Sequence, residues 1–221
     1  MAMREKCLAY RAVLDKGYVE LIDVMGNDNT VVAAARVSYL GESKGPDKDK
    51  KLISYMMKHG HTSPFEHVVF QWRIKCPLFV RSQWHRHRTW AYNELSRRYT
   101  SENIEFYYPV EWRSQDTKNK QGSLDVPIEV SVDFDGHMLN SLTLYGYMIE
   151  CGIAKEQARM ILPQNLYTIF YGTVDLHNLF HFLKLRNSEH AQWEIKEYAV
   201  AMEDIIKDIV PWSYEAWRGS K

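Results

Sequence analysis

Between Arg81 and Tyr99 the chain places five arginines, two histidines and four large aromatic residues in nineteen positions, RSQWHRHRTWAYNELSRRY. No apolar core accepts that many guanidiniums, and side by side they repel one another. Any fold built on this chain must spread them over solvent or aim them at an anion. An arginine fork matches phosphate oxygens two at a time, and interleaved rings suit a planar group attached to those phosphates. A solvated basic helix end and an anion site both satisfy the pattern, and both stay open at this point. His85 and His87 sit two apart, on different sides of a helix, with no cysteine or carboxylate at ligand spacing, so no metal is expected.

The basic excess is local. The 221 residues hold 28 Lys plus Arg against 28 Asp plus Glu, a formal net charge of zero. A duplex binder draws its affinity from phosphate neutralisation and carries a general excess of base. The balance therefore argues against nucleic acid as a partner, and any basic site must be local. Cys7, Cys76 and Cys151 are three in number and form no C-x-x-C pair, which argues against a disulfide framework and a structural zinc. All three read as small core hydrophobes. Residues 1–17 carry scattered charge with no apolar leader core, and no apolar run reaches membrane-spanning length. The expected location is the cytoplasm, with no membrane partner.

Periodicity gives an α+β chain, expected as a single domain over 1–221 with a central antiparallel or mixed sheet flanked by helices. Residues 18–25, 68–75 and 165–174 read as strands. Residues 30–39, 46–59, 77–87, 127–151, 154–162, 176–185 and 189–209 read as helices, with Asp175 and Ser188 as N-caps for the last two. Residues 88–99 read as irregular or partly extended, and 113–123 as a polar solvent loop. Ile195, Tyr198, Ala199, Met202, Ile205, Ile206 and Ile209 mark one apolar helix face.

Arg86-His87-Arg88-Thr89-Trp90-Ala91-Tyr92-Asn93-Glu94-Leu95-Ser96-Arg97-Arg98 resembles the R-H-R-x-x-S-x-N-E-x-S-x-R signature of flavin-dependent thymidylate synthases, departing at Ala91, where the signature has Ser. His61-Thr62-Ser63-Pro64-Phe65-Glu66-His67 resembles that family's H-x-S/T-P-F-E-H segment. Arg159 to Thr168 resembles its substrate-binding helix and strand. Leu185-Arg186 with His190 to Ile195 resembles its C-terminal site.

The resemblance implies a thymidylate synthase-complementing-protein-like fold and reductive methylation of dUMP to dTMP. It implies FAD as cofactor, NADPH and 5,10-methylenetetrahydrofolate as co-substrates, and a homotetramer with active sites between subunits. By position it places Ser63, Arg86, His87, Arg88 and Glu94 at the flavin, with Asp175, His177 and His181 in a second flavin segment. The family often has Asn-x-Arg where this chain has Asp175 to His177, so Asp175 either brings a negative charge near the cofactor or only caps a helix. For dUMP it implies Gln83, Trp84, His85, Arg86, Glu94, Leu95, Ser96, Arg97, Arg98, Arg159 and Arg186. Catalytic roles fall on Arg186, which would stabilise charge on the pyrimidine, on Ser96 as a positioning hydroxyl, and on His61 at the flavin and co-substrate region. No cysteine lies in these patches, so the thiolate route of flavin-free thymidylate synthases is not expected.

Overall fold

The computed structural model describes residues 7–220, leaving the first six residues and Lys221 of the expected 1–221 domain outside the description. The chain opens with strands β1 (Ala9–Val13) and β2 (Gly17–Met25), then helices α1 (Asp28–Arg36) and α2 (Pro46–Lys58). Strand β3 (Val69–Pro77) runs into the short helix α3 (Leu78–Trp84), and β4 (Ala91–Glu94) follows. A hairpin of β5 (Arg113–Gln115) and β6 (Ser123–Pro127) precedes α4 (Phe134–Glu150) and α5 (Lys155–Ala158). Strand β7 (Tyr167–Asp175) leads directly into α6 (Leu176–Arg186), then α7 (Trp193–Ile206) and α8 (Pro211–Gly219).

The main sheet has the order β1-β2-β3-β7-β4, and every pairing in it is antiparallel. Alternation along β3 turns Phe70, Trp72, Ile74 and Cys76 inward, all fully buried. The apolar stripes of α6 and α7 close over that face, with Leu179, Phe182 and Leu183 from one and Ile195, Tyr198, Ala199, Met202 and Ile206 from the other. The Tyr198 hydroxyl donates to the Lys75 carbonyl at 2.7 Å. A Cβ on Gly17 would meet that hydroxyl at 2.0 Å and the Val13 carbonyl at 2.7 Å, so only glycine fits there. A second, smaller cluster of Phe106, Met138, Tyr145, Ala158, Leu162 and Leu166 lies beneath α4.

Several boundaries differ from the sequence expectation. The stretch 113–123 is not a loop throughout: its ends pair as the β5–β6 hairpin, with Gln115 opposite Ser123. The helix expected from 127 starts only at Phe134: 128–132, which holds the β-branched Ile128, Val130 and Val132, forms no regular element, and Asp133 then caps the helix by accepting from the Gly136 amide at 3.0 Å. Ser188 does not cap the next helix; its hydroxyl donates back to the Leu185 carbonyl, and the helix begins at Trp193 behind Gln192. Strand β1 and helix α8 (nine residues, opened by Pro211) are short elements that the sequence expectation does not include. Of the cysteines, only Cys76 is core; Cys7 is half-buried and Cys151 is exposed beyond the end of α4. Among the described residues no helix is long and apolar enough to cross a membrane.

Candidate active site

Strand β4 organises the arginine-rich segment. It pairs with β7 from Ala91 opposite Thr173 to Glu94 opposite Phe170, so Tyr92 and Glu94 share one face. The Tyr92 hydroxyl lies 3.0 Å from both the Trp84 and His87 carbonyls and closes the turn between α3 and β4. The His85 ring lies against Tyr92 at 4.1 Å between centroids. Trp84 itself is fully buried among Phe182, Phe170, Trp90 and Tyr198, with centroids 4.7 to 5.9 Å away. The family resemblance groups Trp84 with the nucleotide contacts, whereas helix spacing puts it on an apolar side with Leu78, Phe79 and Val80; the structure places its indole in the core.

The arginines divide into two groups. In the first, Arg186 ends α6 and donates from Nε to His87 Nε2 at 3.0 Å and from Nη2 to the Gln83 carbonyl at 3.0 Å. These partners are neutral, and the Glu194 carboxylate is engaged with Arg113. Exposed Arg86 lies close enough that its charge, after burial, disfavours the Arg186 cation. His181 packs edge-on to His87 at 5.8 Å, and Arg88 is exposed nearby in sequence. The second group borders a cavity of about 740 Å³ between β4, β7 and the α5 region, lined by Arg81, Glu94, Leu95, Ser96, Arg97 and Arg159 among others. Glu94 bridges Arg81 at 3.2 Å and accepts from the Thr168 hydroxyl at 2.9 Å. Arg98 stands at 3.4 Å from Glu156.

Arg97 is nearly buried, and its guanidinium is committed to the Glu102 and Asn103 carbonyls. Its visible task is to hold the 96–103 loop that carries Ser96 and Arg98. Ser63 and His61 are exposed at the turn before β3, whose first residue pairs with Asp175, so they share a sheet end with the start of α6. His61 faces the Tyr55 ring edge-on at 6.0 Å. Asp175 caps α6, accepting from the Asn178 amide at 2.9 Å and its side chain at 2.6 Å. Sequence reasoning counts Arg81 in the arginine cluster and Thr168 in the stretch resembling the substrate-binding strand, but gives neither an individual site role. Arg81 is visible in the arginine run, and Thr168 follows from the period of two along β7 once that strand's inward face is known.

Burial, then the charges of Arg186 and His181, push the His87 imidazole from its ordinary 6.5 down to about 4. His87 is thus a neutral acceptor for Arg186. An unfolded chain takes up a proton here below about pH 6.5 while the folded one does not. The contribution is therefore complete above that pH and fades as pH falls towards 4. The loss amounts to roughly 3 kcal/mol at 1.36 kcal/mol per pH unit. Urea unfolding of His87→Gln should show a correspondingly shallower fall in stability from pH 7 to pH 4.5 than the parent. Equal slopes would contradict the buried neutral state. Burial likewise lowers His85, opposed by the Glu94 carboxylate.

The sequence profile described as thymidylate synthase complementing protein matches residues 20–212. The chain belongs to this family, that of the flavin-dependent thymidylate synthases. The flavin-dependent thymidylate synthase of Thermotoga neapolitana is 50% identical over 206 residues, covering 93% of this chain and 92% of the relative. One from Thermus thermophilus is 49% identical over 207 residues, covering 93% and 77%. Among solved structures, the UMP/dUMP methylase PolB from Streptomyces cacaoi bound with 5-Br dUMP superposes with a TM-score of 0.81. It is 30% identical, and the match covers 95% of this chain and 97% of that one. A second structure of PolB, bound with 5-Br UMP, gives 0.78. Within the flavin-dependent thymidylate synthase fold the chain departs from the family pattern at two positions. Ala91 is an exposed strand residue, and the Asp175 carboxylate is taken up by its own helix.

Proposed function

We propose that this chain, acting as one domain, methylates dUMP to dTMP with 5,10-methylenetetrahydrofolate as carbon donor, NADPH as reductant and FAD as cofactor. The carrying observation is the Arg186 guanidinium, fixed by His87 and the Gln83 carbonyl beside Arg86. Two of its five donors are engaged, which leaves a rigid cation able to face a ligand. Against the O2/N3 edge of a pyrimidine it stabilises the negative charge that makes C5 nucleophilic. Arg98 and Arg159 suit the nucleotide phosphate, with Ser96 and Glu94 positioning the sugar and base.

Exposed Arg86, Arg88 and Ser63 with His177 and His181 fit an anionic dinucleotide, and the Asp175 charge is already occupied in capping α6. When bound and reduced by NADPH, the flavin would supply the hydride that completes the methyl group. His61, beside Tyr55 and His59, lies on the surface where NADPH or folate would approach that cofactor. The cavity beside β4 takes in Arg81, Arg97 and Arg159 but not Arg186, which supports a site completed by another subunit. Exposed Leu139, Leu144 and Tyr147 along α4 add an apolar face for such assembly, here a homotetramer. The cytoplasm fits a chain that uses these soluble ligands.

Purified protein should be yellow, release FAD on denaturation, and form dTMP anaerobically from dUMP, NADPH and methylenetetrahydrofolate. A colourless protein that cannot be reconstituted with FAD overturns the reading. Cys76 is fully buried, and burial pushes its thiol well above its ordinary range, which disfavours the thiolate. Cys76→Ala should keep dTMP formation within about threefold, read by product assay, and a folded but inactive variant would restore a thiol mechanism. The likeness to a UMP/dUMP methylase supports one second reading, in which UMP is also a substrate; a direct UMP methylation assay decides it.

A further inference from the structure

We infer that Glu194 is a positioning residue for the nucleotide site, setting through Gln192 which way the Gln83 carboxamide points. The inference rests on dUMP being the ligand. Glu194 is only 5% exposed. Its Oε1 accepts from Arg113 Nη2 at 2.6 Å and its Oε2 from Gln192 Nε2 at 2.8 Å. Arg113 comes from the β5 strand, where its Nε also donates to the Ser123 hydroxyl at 3.0 Å and its guanidinium lies 4.9 Å from the centre of the Trp193 ring. The Tyr107 hydroxyl faces the same carboxylate.

A carboxylate only accepts, whereas a carboxamide donates from one end and accepts at the other. Glu194 therefore forces the amino end of Gln192 towards itself and turns the Gln192 oxygen outward. That oxygen receives the Gln83 Nε2 donor. The Gln83 amide is fixed in turn, with Oε1 directed away from Gln192 as an acceptor. The carbonyl of the same residue holds Arg186 Nη2. One buried charge thus sets donor and acceptor order across three side chains, ending on the residue that braces Arg186.

Stability alone gives little reason for this arrangement, because a buried ion pair barely offsets its own desolvation and apolar side chains of similar size commonly serve as well. Directed hydrogen bonding is what such a pair offers and an apolar patch cannot. Glu194→Gln keeps the shape but lets both amides flip.

The test is the dissociation constant of dUMP measured on the FAD-loaded protein for Glu194→Gln, Gln192→Leu and the double variant, with FAD content and melting temperature recorded alongside. Each single variant should weaken dUMP about tenfold with FAD retained. The double variant should be no worse than either single, because both interrupt the same series. Unchanged affinity in the single variants, or additive losses in the double, overturns the inference. If Glu194→Gln does not fold, Gln192→Leu, at a half-buried position, decides it by the same tenfold criterion. Failure of the parent protein to bind dUMP would strike the proposed function instead.

Discussion

Arg186→Ala should cut dTMP formation by about 10² to 10³-fold while FAD remains bound, the loss typical of one preorganised donor to a developing anion. Arg186 sits at the last position of α6 and donates outward to His87 and the Gln83 carbonyl. Removing it leaves a small solvent-facing gap and frees His87, so the fold should survive. Arg186→Lys retains a cation but not the fork. It cannot satisfy His87 and the Gln83 carbonyl and still present a donor to the pyrimidine, so it should recover little of the lost rate. Single-turnover dTMP formation with preloaded FAD and saturating dUMP reads the chemical contribution apart from affinity. Normal turnover in Arg186→Ala would remove the electrostatic role and leave this arginine as a helix-end contact.

Trp84→Ala should destabilise the protein by about 3–5 kcal/mol, the usual range for deleting a buried indole. For a chain of this size that lowers the melting temperature by roughly ten degrees or more. The indole joins the sheet to both covering helices: Phe170 lies on β7, Phe182 on α6 and Tyr198 on α7. Trp90 completes the cluster across the turn. Trp84→Phe keeps most of that contact and should cost much less, with dUMP affinity unchanged within about twofold. A Phe variant that melts normally yet binds dUMP tenfold more weakly would return Trp84 to the ligand, where the family resemblance puts it.

That residue shows where one-dimensional reasoning stops. Trp84 lies among Gln83, His85 and Arg86 in a stretch rich in charge; helix spacing puts it on an apolar side with Leu78, Phe79 and Val80, while the family resemblance groups it with the nucleotide contacts, and the string does not choose between the two. Its direction depends on α3 packing against α6 and α7, which come a hundred residues later. Arg97 is similar: one of five guanidiniums in sequence, it is occupied in the fold by two carbonyls of its own loop. The polar run 113–123 carries no period, yet its ends pair, because a short exposed hairpin is held by its turn and by Arg113 reaching Glu194.

Local chemistry alone determined a good deal. The alternation in β2 and β3, the β-branched and aromatic run of β7, the Asp175 cap and the apolar stripe of α7 are short-range patterns with short-range causes. The concentration of arginine between 86 and 98 left an anion site and a solvated basic face both open, and the signature it forms named the family. Tertiary structure decided the rest: which arginines stay available, that they divide into two groups on one chain, and that a buried glutamate is linked by two amides to the residue bracing Arg186. Those facts depend on which elements meet in space. Hydrogen bonds and burial join Gln83 to Gln192, and Arg113 to Glu194, across distances in sequence that periodicity and propensity do not reach.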